Sequence, residues 1–312
     1  MIKRECKSVR SVYGNTLLEL GRKNKDIVVL DADLSCSTQT QMFAKEFPER
    51  FFNAGIAEQD LMGTAAGLAL TGKIPFVSTF AMFASGRAWD QIRNTICYSN
   101  LNVKICATHG GITVGEDGAS HQALEDISIM RSIPNMTVIV PADAVQTREA
   151  VKFAAEHKGP VYIRIARTSL PDIYDGNYKF NYKKASILKE GADVSIITNG
   201  ETLIEALDAA QALKAEGINA EVIDMPCVKP IDKETVINSA KKTKRVITVE
   251  NHSITGGLGS AVCEVLSENY PVKVSRIGIN NEFGQSGTAK ELMNFYGLSA
   301  EKLAEKIAEL IK

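Results

Sequence analysis

No two cysteines in this 312-residue chain stand at metal-site or redox-motif spacing. The six, Cys6, Cys36, Cys97, Cys106, Cys227 and Cys263, are scattered, which argues against a zinc ribbon, a CxxC centre or a disulfide framework and fits reduced thiols. HExxH and the P-loop lysine signature are missing too, so neither a zincin metal site nor a nucleotide loop of that kind is expected. No apolar run approaches the roughly 20 residues that span a bilayer. The opening MIKRECKSVR lacks the apolar core of a secretory signal. Neither sign of charge is in excess: 36 Lys and Arg oppose 37 Asp and Glu, and the net charge of -1 offers no field for nucleic acid or an anionic membrane. These absences predict a soluble, cytoplasmic protein that binds neither nucleic acid nor membrane.

What is present is an alternation of buried-strand and helix patterns. The apolar runs 27–35 (IVVLDADLS), 74–80 (IPFVSTF), 103–108 (VKICAT), 137–142 (TVIVPA) and 161–167 (VYIRIAR) read as strands, and 11–23, 57–70, 83–98 and 143–157 as helices. From 170 to 184 the period fails in a stretch with Pro, Gly, Asn and aromatics, which reads as a linker partly packed by its rings. A second series follows, with strands at 193–198, 220–225, 244–251 and 272–278, helices after 206 and after GGLGS (256–260), and a last helix near 300–311. Alternation of this kind predicts an α/β fold of two consecutive domains, each with a mainly parallel sheet flanked by helices. The boundaries are 1–172 for the first domain, 173–188 for the linker and 189–312 for the second.

The polar residues concentrate in 108–121, THGGITVGEDGASH, between a strand and a helix. Four glycines (Gly110, Gly111, Gly115, Gly118) let backbone and ligand approach closely, and ligands of open α/β sheets gather beyond the carboxyl ends of strands. His109, His121, Glu116 and Asp117 suit acid–base and hydrogen-bonding work; their spacing does not suggest a metal site. A solvated surface loop is the plainer alternative. Glu58, opening the apolar helix IAEQDLMGTAAGLAL, also has two readings. Buried away from cations it would stay protonated and donate a hydrogen bond; otherwise it is a helix N-terminal carboxylate facing the dipole. Phe80 and Phe83 are core residues or ligand platforms. Arg10, Ser37 and Arg167 lie near element ends, where an arginine fork grips phosphate or is simply a surface charge. GGLGS lacks a full phosphate-loop pattern and reads as a tight turn opening a helix, and His157 and His252 read as structural or solvated.

Taken together, FNAGIAEQ, STFAMF, THGGITVGEDGASHQALEDI, RSIPNMTVIVPAD and IARTSLP resemble transketolase over most of the chain, namely its pyrimidine-binding and C-terminal domains. The resemblance implies thiamine diphosphate as cofactor, with Glu58 on N1′ of its aminopyrimidine, Phe83 stacked on that ring and Phe80 beside it. It implies that His121 and Asp117 contact the carbonyl and hydroxyl groups of the ketose donor, and that His109, Arg10, Ser37 and Arg167 hold the sugar phosphate. A third family aromatic falls on Gly86, which would open that side of the pocket and shift preference away from the common pentose phosphates. The family's GDG motif, which binds diphosphate and a divalent metal such as Mg2+, does not occur here. The chain is therefore expected to be the C-terminal subunit of a split transketolase, holding no metal itself, inactive without an N-terminal subunit that carries GDG, self-associated across a two-fold and assembled as a heterotetramer. Readings kept beside it are a 1-deoxyxylulose-5-phosphate synthase, a pyruvate-dehydrogenase-type beta subunit, and a non-catalytic binding protein on the same scaffold.

Overall fold

The computed structural model describes residues 5–312; residues 1–4, where the first predicted domain and the MIKRECKSVR stretch begin, lie outside it. The first half runs β1 (Cys6–Ser8), α1 (Val9–Lys23), β2 (Ile27–Asp31), α2 (Ser35–Thr38), α3 (Gln41–Glu46), β3 (Phe51–Asn53), α4 (Glu58–Leu70), β4 (Ile74–Ser78), β5 (Lys104–Thr108), α5 (Asp126–Ser132), β6 (Thr137–Ile139), α6 (Ala144–Glu156), β7 (Val161–Ile165) and β8 (Ser169–Pro171). The second runs β9 (Ser186–Lys189), β10 (Val194–Thr198), α7 (Thr202–Ala215), β11 (Ala220–Asp224), β12 (Cys227–Lys229), α8 (Lys233–Thr243), β13 (Val246–Ser253), α9 (Leu258–Asn269), β14 (Val274–Ile279), α10 (Ala289–Phe295) and α11 (Ala300–Ile311).

A seven-stranded sheet has the order β12-β6-β7-β5-β4-β2-β3, and all its neighbours are parallel except β12, which runs antiparallel to β6. Strand alternation divides the apolar runs between two cores. Val28, Leu30, Val77 and Ile105 pack with Leu61, Met62 and Ala65 of α4, while Ile27, Val29, Phe76 and Ile163 pack with Tyr13 and Leu17 of α1 and Val151 of α6. Both faces are covered, which is why these strands read as unbroken apolar runs. The second sheet has the order β14-β13-β10-β11-β9 and is parallel except for β9. No helix among the described residues is long and apolar enough to cross a membrane.

Several elements differ from the sequence reading. The run 27–35 is a strand only to Asp31, because the Asp31 carboxylate accepts from Leu34 N (2.6 Å), Thr38 Oγ1 (2.7 Å) and Thr40 Oγ1 (2.8 Å) and folds the chain into α2. The helix expected over 83–98 is wound in wide π-type turns at Phe83–Arg87 and Gln91–Cys97. Such turns occur often beside functional sites. Inside 170–184, Tyr174 packs tilted against Tyr178 at 4.1 Å and Tyr182 stacks on Phe153 at 4.7 Å. The GGLGS turn does open a helix, and its first free N–H groups are taken: Leu258 N and Gly259 N donate to the buried Glu250 carboxylate at 2.7 and 2.9 Å. An internal carboxylate fills the place a phosphate would need.

Two features fasten the halves together. β12, from the second half, completes the edge of the first sheet. Beside it, Asp143 caps α6 and accepts from Ile173 N (2.8 Å) and Tyr174 N (2.7 Å), while Asp224 accepts from Gln146 Nε2 (2.6 Å) and Tyr174 Oη (2.6 Å).

Candidate active site

The carboxyl ends of β2, β4, β5 and β7 and the N-terminus of α4 bring the predicted residues to one side of the first sheet. Arg10, half-buried at the start of α1, donates to the carbonyls of Ser37 (2.7 Å) and Arg167 (3.2 Å). Burial, and then the neighbouring Arg167 charge, hold the Arg10 guanidinium below its ordinary pKa. Two cations so placed, joined by His109, form a site that favours an anion. His109 stacks on Phe80 with centroids 3.8 Å apart, and its Nδ1 shares a 2.7 Å hydrogen bond with Thr108 Oγ1. The imidazole pKa is lowered to about 3, first by burial and then by the charges of Arg10 and Arg167, so His109 is neutral at physiological pH. Ser37 places its carbonyl on Arg10 and so stands at the same site.

Phe83 lies 5.9 Å from Phe80 with rings nearly parallel, and His121 meets its edge at 5.3 Å. His121 also shares a 2.9 Å hydrogen bond with Ser120 Oγ. Asp117 is exposed and has no side-chain partner among the described residues; the neighbouring Glu116 is the one that pairs with Arg167, at 2.8 Å. The loop that carries these groups turns at Gly111 (φ 78°) and Gly118 (φ 74°). A Cβ at Gly111 would lie 2.3 Å from Asn251 Nδ2, and one at Gly118 2.6 Å from Ser286 Oγ, so the second domain shapes the loop directly.

Glu58 departs from the condition set by the sequence. Its carboxylate is buried, 1% exposed, yet it is not away from cations: Arg87 Nη1 donates to Oε2 at 2.8 Å. The Arg87 guanidinium also lies over the Phe83 ring, 4.8 Å from its centroid, and its side chain remains 48% exposed. Gly86, beside it, is exposed, and the nearest atom to a Cβ there would be Met82 Cε at 3.4 Å.

Comparison with known proteins decides what this arrangement belongs to. Residues 6–172 match the family described as transketolase, pyrimidine binding domain, and residues 183–303 the transketolase C-terminal domain. The chain belongs to the transketolase family. A relative from Methanocaldococcus jannaschii, described provisionally as a transketolase C-terminal section, is 57% identical over 98% of this chain and 97% of its own length. The 6-deoxy-6-sulfo-D-fructose transketolase subunit SqwH of Clostridium sp. is 43% identical over 99% of this chain and 96% of its own. A solved structure described as split gene transketolase, inactive beta4 tetramer, superposes with a TM-score of 0.91 at 55% identity, covering 98% of both chains.

Transketolases use thiamine diphosphate, and the residues here fit its aminopyrimidine half. Arg87 shows this: a flat group bearing N–H donors already lies on the Phe83 ring and hydrogen-bonds Glu58. An aminopyrimidine could take the same place on the ring, with Arg87 turned away toward solvent; its N1′ is an acceptor, so the hydrogen bond there would run from a protonated Glu58 to the ring.

Residues that the sequence reading missed stand around this candidate site. Arg87 is one, 29 positions from its partner Glu58. Below the loop, Arg164 forms a buried 2.8 Å ion pair with Asp126 and donates to the carbonyls of Ala123 and Asn251, both at 3.0 Å. Gln122 Nε2 donates to Ile112 O (3.1 Å) and Gln285 O (3.0 Å). No motif signals Arg87 or Arg164, although the strand pattern placing Arg164 mid-strand, where a buried charge needs a partner, could have raised it; Gln122 stands inside the quoted THGGITVGEDGASHQALEDI stretch.

Proposed function

We propose that this chain is the C-terminal subunit of a two-chain transketolase that moves a two-carbon ketol unit between sugar phosphates. Thiamine diphosphate would be shared with an N-terminal subunit carrying the diphosphate and Mg2+ site, in a heterotetramer with two copies of each chain. The observation that carries the reading is the convergence of an anion site (Arg10, His109, Arg167) with an aromatic–carboxylate pair (Phe83, Glu58) on one side of one sheet. Ile56, exposed just before α4, and Gly63 and Gly67, with open space where a Cβ would stand, support α4 as a surface for a second subunit. The cysteines stand as thiols outside any disulfide, which supports a cytoplasmic setting.

When bound, thiamine diphosphate supplies the thiazolium carbon that carries the two-carbon unit. This chain's residues do the rest. Glu58 holds a proton at N1′, Phe83 supports the pyrimidine face with Phe80 behind it, and His121 and Asp117 hydrogen-bond the ketol carbonyl and hydroxyls. Arg10 and Arg167 hold the terminal phosphate as forks, while neutral His109 contributes a hydrogen bond without charge. Ser37 shapes that phosphate site through its carbonyl on Arg10.

The test is to purify the chain with and without a GDG-bearing partner and follow ketol transfer from a ketose phosphate to an aldose phosphate. Activity is expected only from the mixed complex, and Glu58→Gln in that complex is expected to lose about a hundredfold or more in kcat. Turnover by this chain alone refutes the two-chain arrangement. Pyruvate with glyceraldehyde phosphate as the sole productive pair would favour the synthase chemistry instead.

A further inference from the structure

The second domain does more than pack against the first. We propose that Glu201, which opens α7 beyond the carboxyl end of β10, is a positioning residue that ties together the two segments holding the substrate, the 112–118 loop and the Arg167 segment. The assignment of those segments to substrate rests on the function proposed above; the tie itself rests on geometry.

Glu201 Oε1 accepts from Thr113 Oγ1 at 2.8 Å and from Asn251 Nδ2, while Oε2 accepts from Thr168 Oγ1 at 3.2 Å. Thr113 lies inside the loop that ends in Asp117, and Thr168 follows Arg167 directly. One planar carboxylate therefore fixes both segments from opposite oxygens. Asn251 extends the hold, because its Oδ1 accepts from Ile112 N at 3.0 Å where the loop begins. Nothing local competes for the side chain, which at the N-cap of α7 makes no capping hydrogen bond. It is buried, and burial pushes its carboxyl above the usual range, a cost that an apolar side chain would avoid. The hydrogen bond from Thr113, the nearby Arg164 charge and the hydrogen bonds from Asn251 and Thr168 offset it.

A residue that merely fills space would not transmit a change at Thr168 to Thr113. That separates the two roles. Hydrogen exchange of segment 112–118 is measured in the wild-type chain, Thr168→Val, Glu201→Gln and the double variant. Alongside it, KM for a ketose phosphate, kcat and thiamine diphosphate affinity are measured in the complex with the partner subunit. Thr168→Val is expected to speed exchange in 112–118 severalfold although the valine is remote in sequence, and to add nothing once Glu201 is Gln. Glu201→Gln is expected to speed that exchange and raise KM about tenfold, the scale of one hydrogen bond to a charged group, with kcat and cofactor affinity within about threefold. Unchanged exchange in Thr168→Val overturns the tie, and faster exchange without a KM change overturns the role of Glu201 in positioning substrate. Should the wild-type complex transfer no ketol unit from any ketose phosphate, the functional reading falls, and the exchange coupling still decides the tie.

Discussion

His109 adopts a backbone φ of 63°, in a region that residues other than glycine enter rarely and that recurs at working sites. Its ring is pinned by Phe80 on one face and Thr108 at Nδ1, which is what keeps the strained backbone in place. Because burial and two arginines lower its pKa to about 3, the unfolded chain binds a proton more readily than the native one between about 6.5 and 3. The His109 contribution to stability is therefore whole above pH 6.5 and declines as pH falls through that window, by at most about 1.4 kcal/mol per unit. His109→Gln is expected to flatten the acid side of a Tm-against-pH curve, and an unchanged slope would contradict the assignment. Asp224 has the opposite sign. Burial raises its carboxyl to about 7, so the native state holds the proton longer than the unfolded one, and stability falls as pH rises from about 4 to 7. Asp224→Asn keeps an acceptor for Tyr174 and is expected to abolish that decline; thermal melts between pH 4 and 8 check it.

The loop over 112–118 and helix α4 make contrasting use of glycine. Gly111→Ala places a methyl against Asn251 at φ 78° and is expected to destabilise by more than about 1 kcal/mol. The same change at Gly67, with nothing within 4 Å, is expected to stabilise by about 0.5–1 kcal/mol. Urea midpoints of the two variants should move in opposite directions. The long parallel strands were legible in the chain because each is an unbroken apolar run buried on both faces, as β2, β5 and β7 are. β1, β8 and β12, three residues each, were not, because so short a strand shows no period and owes its existence to a partner far along the chain. The site divides likewise. His109, His121 and Asp117 sit in one glycine-rich stretch that announces itself, and Glu58 opens an apolar helix. The hold of Glu201 on Thr113 and the cover of Arg87 on Glu58 are made across tens of residues, where composition carries no trace of who meets whom.

β12 and the Asp143–Gln146–Asp224 seam make the two domains share one sheet and one polar network. One cooperative unfolding transition is expected, with calorimetric and van't Hoff enthalpies in agreement; two resolved peaks would show the seam to be weak. The borrowed strand also matters before the protein is finished. β6 ends at Ile139 and its neighbour β12 begins only at Cys227, so at ordinary translation speeds the emerging polypeptide trails a raw, unpaired edge for on the order of ten seconds. An edge of that kind invites pairing with other chains. Ribosomal pausing between these two points should therefore increase aggregation of the newborn protein more than pausing after Lys229.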